Sequence, residues 1–275
     1  MKNLWSNLKE TADFLTSLMK SAPRVGLILG TGLGNLVESI EQDGSVDFSE
    51  IPHFPVSTAL GHAGRLIWGK WSGCRIMALQ GRFHYYEGYS LQQVAFPVRV
   101  MKLAGCGTLI ATNAAGSLNP SLPSGSVMVI TDHINLLGGN PLTGSNLEEM
   151  GPRFPDLGRV YSPELVELAL EIARRNAVDL HPGVLVAVSG PNFETAAEYR
   201  SFQFMGADAV GMSVIPESIT AAHCDMRVLA FSGISDECFH PVLEPLTGEQ
   251  VVAVAEKIAP ALTTLISKVL ERLPD

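Results

Sequence analysis

The segment Gly81-Arg82-Phe83-His84-Tyr85-Tyr86-Glu87-Gly88-Tyr89 sets an arginine and a histidine two positions apart among aromatic side chains. On an extended backbone, side chains two apart point to the same side. A guanidinium fork beside an imidazole suits a phosphate, which the fork grips with two hydrogen bonds. Taken alone, the segment reads equally as a surface arginine and a structural histidine beside packed tyrosines. Gly30-Thr31-Gly32-Leu33-Gly34 is a second anion candidate, since backbone N–H groups in such a turn approach a ligand closely and Thr31 adds a hydroxyl. Asn35 follows it, so the run is not GxGxxG, and it carries no Walker lysine. A dinucleotide site is therefore not expected, while a plain tight turn stays open.

Three further segments offer complementary groups. Thr112-Asn113-Ala114-Ala115-Gly116 closes an apolar run with small residues, which let a ligand reach the backbone where strands of an α/β sheet end, although taken alone the segment reads better as a plain strand-end turn. Gly190-Pro191-Asn192-Phe193-Glu194-Thr195 combines an aromatic face with a carboxylate: Phe193 can stack on a flat heterocycle and Glu194 can accept two N–H donors from its edge. Glu194 is equally well read as a helix-start carboxylate favoured by the dipole. Val210-Gly211-Met212-Ser213 and Ser235-Asp236-Glu237 complete the set. Asp236 closely follows an apolar run, where a partly desolvated carboxyl can serve as an acid. The histidines do not fall at metal-ligand spacings and there is no Cys/His pairing, so no metal site is expected.

These groups need a scaffold. Apolar positions repeat at helical spacing over 1–20, at Leu4, Leu8, Phe14, Leu15, Leu18 and Met19. Buried strands are expected at 24–29, 75–79, 108–111, 127–131, 184–188 and 227–231, with helices at 91–103, 163–176, 195–205 and from Glu249 to the end. Alternation of this kind predicts an α/β fold around a parallel or mixed sheet, read as a single domain over 1–275. The stretch 136–158 holds five glycines and three prolines, and so long a loop in a compact domain is expected to be functional.

Composition narrows the function. With 46% hydrophobic and 17% charged residues the chain can bury a large, mainly aliphatic core. Its net charge of −9, without a basic run, argues against nucleic-acid binding. Cys74, Cys106, Cys224 and Cys238 are widely spaced, the pattern of reduced thiols in a cytoplasmic protein. The first twenty residues, with Glu10 and Asp13, read as neither signal peptide nor membrane span.

Six segments in register, GTGLG at 30–34, GHAG at 61–64, GRFHYYEGY at 81–89, TNAAGSLNP at 112–120, GPNFETAAEYR at 190–200 and GADAVGMSVIPE at 206–217, make the chain closely resemble the trimeric purine nucleoside phosphorylases. The resemblance spans nearly the whole chain. It implies a nucleoside phosphorylase fold, a mixed and partly barrel-like sheet flanked by helices. It implies that Thr31, His62, Arg82, His84, the Ala114 N–H and Ser213 hold phosphate. Phe193 would stack on the purine, Glu194 would bind its N1–H and any 2-amino group, and Tyr86 and Met212 would contact the ribose. Phe154 would cover the ribose in the neighbouring subunit of a homotrimer. His84, Glu194 and Asp236 are the residues expected to take part in catalysis. Inorganic phosphate would be co-substrate, no cofactor would be needed, and the role would be purine salvage.

Two positions depart from the family pattern. Asp236 stands where the family usually has Asn, and an ionised Asp accepts hydrogen bonds without donating. That shifts or widens the expected preference toward adenosine. Gly248 falls where the family usually has a His contacting the 5′-hydroxyl. The rivals are a 5′-methylthioadenosine phosphorylase of the same fold, a non-catalytic purine-binding protein, and a nucleoside hydrolase. GRFHYYEGY and Glu194 speak against the first and the full phosphate set against the second. The third needs an acidic calcium site that this sequence does not show.

Overall fold

The computed structural model describes residues 4–59, 61–240 and 245–273. Helix α1 (Leu4–Leu18) buries Leu8, Thr11, Ala12 and Leu15 on one face, so Leu8 and Leu15 of the expected stripe are covered while Leu18 is exposed. Its expected first turn at 1–3, and the last two residues of the terminal helix, lie outside the described residues. Strand β1 (Val25–Leu29) is buried throughout, as a central parallel strand must be. It is flanked by β4 (Cys74–Gln80) and β5 (Thr108–Ser117), both parallel to it. Strands β2 (Glu41–Asp47) and β3 (Arg65–Trp71) continue outward from β4 as an antiparallel ribbon.

On the other side of β5 the sheet closes on itself. The order β5-β8-β7-β6-β9, with β9 also paired to β5, makes a five-stranded barrel from β5, β6 (Val127–Leu136), β7 (Leu180–Val188), β8 (Ala209–Gly211) and β9 (Arg227–Glu237). The pairs β5–β9, β6–β7 and β7–β8 are parallel, and β5–β8 and β6–β9 antiparallel. The mixed, partly barrel-like sheet is thus observed. Closure removes the open edge that a strand as long as β9 would otherwise present.

Helices cover the sheet. Ser90 caps α2 (Leu91–Ala104) by accepting from the Gln93 amide, and Gly105 ends it with φ of 115°. Thr195 caps α4 (Ala196–Phe204) and Thr247 caps α6 (Gly248–Arg272) in the same reciprocal way. Between them lie α3 (Pro163–Asn176) and α5 (Ile215–His223). By length and composition alone α6 could cross a membrane. Its stripe Ala255, Ile258, Leu262, Leu265, Ile266 and Val269 is instead buried, against α3 and β9. One hydrophobic cluster runs from Leu8 to Leu273, and the four cysteines are buried thiols.

The sequence reading missed β2, β3, β8 and α5. The polar run of β2 leaves most of its side chains exposed, so it lacks the apolar signal of a core strand. Strand β8 is only three residues long, too short to show a period. Helix α5 is only nine residues long and buries the polar Glu217, Ser218, Thr220 and His223 together with its apolar residues, so no apolar stripe marks it out. β9 runs six residues past its expected end at 231, through polar residues whose places the barrel fixes.

Candidate active site

The site forms where β1, β5, β8 and β9 end. A cavity of about 380 Å³ is lined by Thr31, His84, Tyr86, Ala114, Phe193, Glu194, Met212, Ser213 and Asp236, so nine of the twelve expected site residues converge. Gly248, at the start of α6, borders it too. Gly32 permits the turn after β1: its φ is +72°, and a Cβ there would stand 2.5 Å from that of Ala255.

One polar cluster is built on the loop after β4. The His84 ring stacks on Tyr86 at 4.5 Å and on His62 at 5.2 Å. His84 Nδ1 pairs with Glu87 Oε1 at 2.9 Å, and that carboxylate also accepts from the His84 amide and from both donors of Thr58. Burial pushes Glu87 upward, but the hydrogen bonds from His84 and Thr58 outweigh it and bring its pKa down to about 2. A fixed anion at Nδ1 leaves His84 Nε2 for a ligand. Burial lowers the pKa of His84 against the pull of Glu87. His62 falls to about 4, through burial first and then the proximity of His84 and Arg82. Its Nε2 lies 3.4 Å from the Thr31 hydroxyl. His62 is therefore neutral near pH 7.

Arg82 stands behind this cluster and does not line the cavity. It is 2% exposed. Its Nη2 donates to the Thr112 carbonyl, and Nη1 lies 3.4 Å from Glu217 Oε1 on α5. Arg82 Nε and Nη1, and both Glu217 oxygens, complete no hydrogen bond. The pair is a buried charge couple, and apart from Arg82 Nη2 its polar atoms keep their hydrogen-bonding capacity unspent. Ser213 precedes Val214, whose φ of +73° is rare for a β-branched residue. Such strain costs about 1–3 kcal/mol and gathers at functional sites.

The second cluster is a chain of acids. Burial raises the Glu194 pKa, opposed by its own backbone N–H and a hydrogen bond from Tyr199, and reinforced by the nearby Asp236. Asp236, on β9, accepts from the Ser235 hydroxyl at 2.6 Å and from the Cys238 thiol at 3.0 Å. Opposite it in the β5 register is Gly116. A Cβ there would come within 2.6 Å of Cys238 Sγ and 2.9 Å of Asp236 Oδ2, so only glycine admits this arrangement.

Related proteins share this frame. Residues 24–271 match the Phosphorylase superfamily. Purine nucleoside phosphorylase 1 of Geobacillus stearothermophilus is 48% identical over 91% of this chain and 92% of its own. The chain belongs to the purine nucleoside phosphorylases. The Schistosoma mansoni phosphorylase solved with adenosine superposes with a TM-score of 0.93, at 40% identity over 98% of each chain. The Schistosoma mansoni phosphorylase solved with inosine gives 0.93 at 38% identity, over 98% of this chain and 97% of that one. Family membership makes this chain a pentosyltransferase, a phosphorylase of purine nucleosides. None of these relatives is a methylthioadenosine phosphorylase or a non-catalytic binding protein.

Phe154 lies elsewhere on the phosphorylase, 87% exposed on the 136–158 loop beside Arg153 and apart from this subunit's cavity. Glu87, Tyr199, Glu217 and Cys238 were not singled out from sequence. Only Glu87 carried a local signal, its spacing of three from His84, which suits a capping box.

Proposed function

We propose that the phosphorylase cleaves both 6-oxopurine and 6-aminopurine nucleosides, with inorganic phosphate as co-substrate and no cofactor. Phosphate is held by Thr31, His84, the Ala114 N–H and Ser213, with the Arg82 charge and neutral His62 behind them. Phe193 stacks on the purine, and Tyr86 and Met212 flank the ribose. As the C1′–N9 bond breaks, its electrons move onto the purine and positive charge grows on the ribose. Phosphate stabilises that charge and then bonds to C1′, giving ribose 1-phosphate.

The observation that carries the wider base preference is Asp236. Its carboxylate is fixed by Ser235 and Cys238 in the cavity that Glu194 shares. It can accept from a protonated N7 or a 6-amino group, while Glu194 accepts from N1–H of a 6-oxopurine. Replacing Asp236 by Asn is expected to raise the inosine-to-adenosine ratio of kcat/KM by about tenfold or more, because the amide donates to O6. An unchanged ratio sinks this reading of Asp236.

Gly248 supports a second expectation, since it meets the cavity without a side chain to bind the 5′-hydroxyl. Losing that hydroxyl then costs little: 5′-deoxyinosine should keep kcat/KM within about tenfold of inosine, against the far larger loss at a site built to bond it. Strong discrimination in steady-state kinetics would contradict this role. The exposed aromatic face of Phe154 supports a homotrimer in which it covers a neighbour's ribose site. We place the enzyme in cytoplasmic purine salvage.

A further inference from the structure

A second cavity, of about 30 Å³, lies away from the nucleoside site between α2 and the 136–158 loop. Arg99 of α2 lines it with Gln92, Thr143, Ser145, Asn146 and His223. Arg99 is only 4% exposed. Its Nε and Nη1 have no hydrogen-bond partner, and among the described residues no carboxylate comes within ion-pairing distance. Arg82 meets the same burial with Glu217 beside it; Arg99 has no such partner.

We propose that this cavity is a binding site for one small monovalent anion, chloride in ordinary solution, held by Arg99. The size fits: about 30 Å³ is open to the centre of a water-sized particle, room for a monatomic ion and too little for a nucleotide. The charge fits as well, because a buried guanidinium without a counter-charge is strongly unfavourable. Other charge nearby does not supply that partner. His223 is buried at 2%, and its pKa is lowered by burial and then by Arg99, which keeps it neutral. Its Nε2 is 3.2 Å from Asn146 Oδ1, and Asn146 in turn donates to the Gly151 carbonyl. Glu148 is exposed and acts on His223 only from a distance. The anion therefore closes the charge balance at the seam between α2 and the loop that carries Phe154, and braces that loop.

Crystals of the unmutated enzyme grown in bromide test this directly. An anomalous peak in contact with the Arg99 guanidinium is the expected result. Water alone there, or Glu148 turned in to pair with Arg99, overturns the proposal. In phosphate-free solution, replacing gluconate by chloride at equal ionic strength should raise the thermal midpoint by about 2–4 °C. Arg99→Gln should lose that rise, and an equal rise in the variant also overturns the proposal.

Discussion

Glu194→Gln lowers kcat/KM for inosine by about 10²–10³-fold, the loss seen when one preorganised group facing developing charge is removed. In the proposed role the Glu194 carboxylate accepts the N1–H of hypoxanthine as a charged acceptor, whereas the neutral amide accepts it more weakly and can turn its own N–H against it. Adenosine responds in the opposite sense, because its N1 accepts and the amide of the variant can donate to it. The ratio of the two substrates therefore falls further than inosine turnover alone. The pH profile carries the same signature. Burial raises the Glu194 pKa and Asp236 adds to the rise, so Glu194 takes up its proton at a higher pH than an ordinary glutamate. Turnover of inosine that needs the ionised form is lost as pH falls, starting above the usual carboxylate range. Removing the neighbouring charge with Asp236→Asn moves this acid limb to lower pH. Steady-state kinetics across pH check both statements, and an acid limb unmoved by Asp236→Asn contradicts the coupling.

The second large effect falls on phosphate. Arg82→Met leaves Glu217 as a buried, uncompensated carboxylate and destabilises the fold by about 3–5 kcal/mol. Arg82→Met combined with Glu217→Met removes both charges and recovers most of that stability. It does not recover phosphate binding, because the positive charge behind Thr31, His84 and Ser213 is gone. The double variant should show a phosphate KM raised by roughly 30-fold or more, from the loss of one buried charge facing an anion. Hypoxanthine affinity should be little changed. Thermal unfolding and phosphate titration separate the two effects. A double variant with normal phosphate KM would show that Arg82 serves the fold alone.

Legibility in the sequence followed local pattern. β1, the capped helices α2 and α4, and the turn at Gly30–Gly34 announce themselves by apolar runs, caps and glycines, and the structure places them as expected. Nine site residues meet in one cavity because each lies at or near the end of such an element. The partners that set their electrostatics are long-range. Glu217 faces Arg82 from α5, a short helix whose polar residues are buried like its apolar ones, and Cys238 meets Asp236 only because the barrel extends β9 beyond its apolar run. No spacing in the chain encodes either contact. Arg82 and His84 also show the limit of the alternation rule. Two apart in sequence, one reaches inward to α5 while the other lines the cavity.

Base release from inosine, guanosine, adenosine and 5′-methylthioadenosine, each with and without inorganic phosphate, decides whether the enzyme is a phosphorylase of both base classes. Hypoxanthine and guanine should be released only when phosphate is present, with ribose 1-phosphate formed in equal amount and measurable release of adenine from adenosine. Release of base without phosphate, or no release from any of the four, would contradict that assignment.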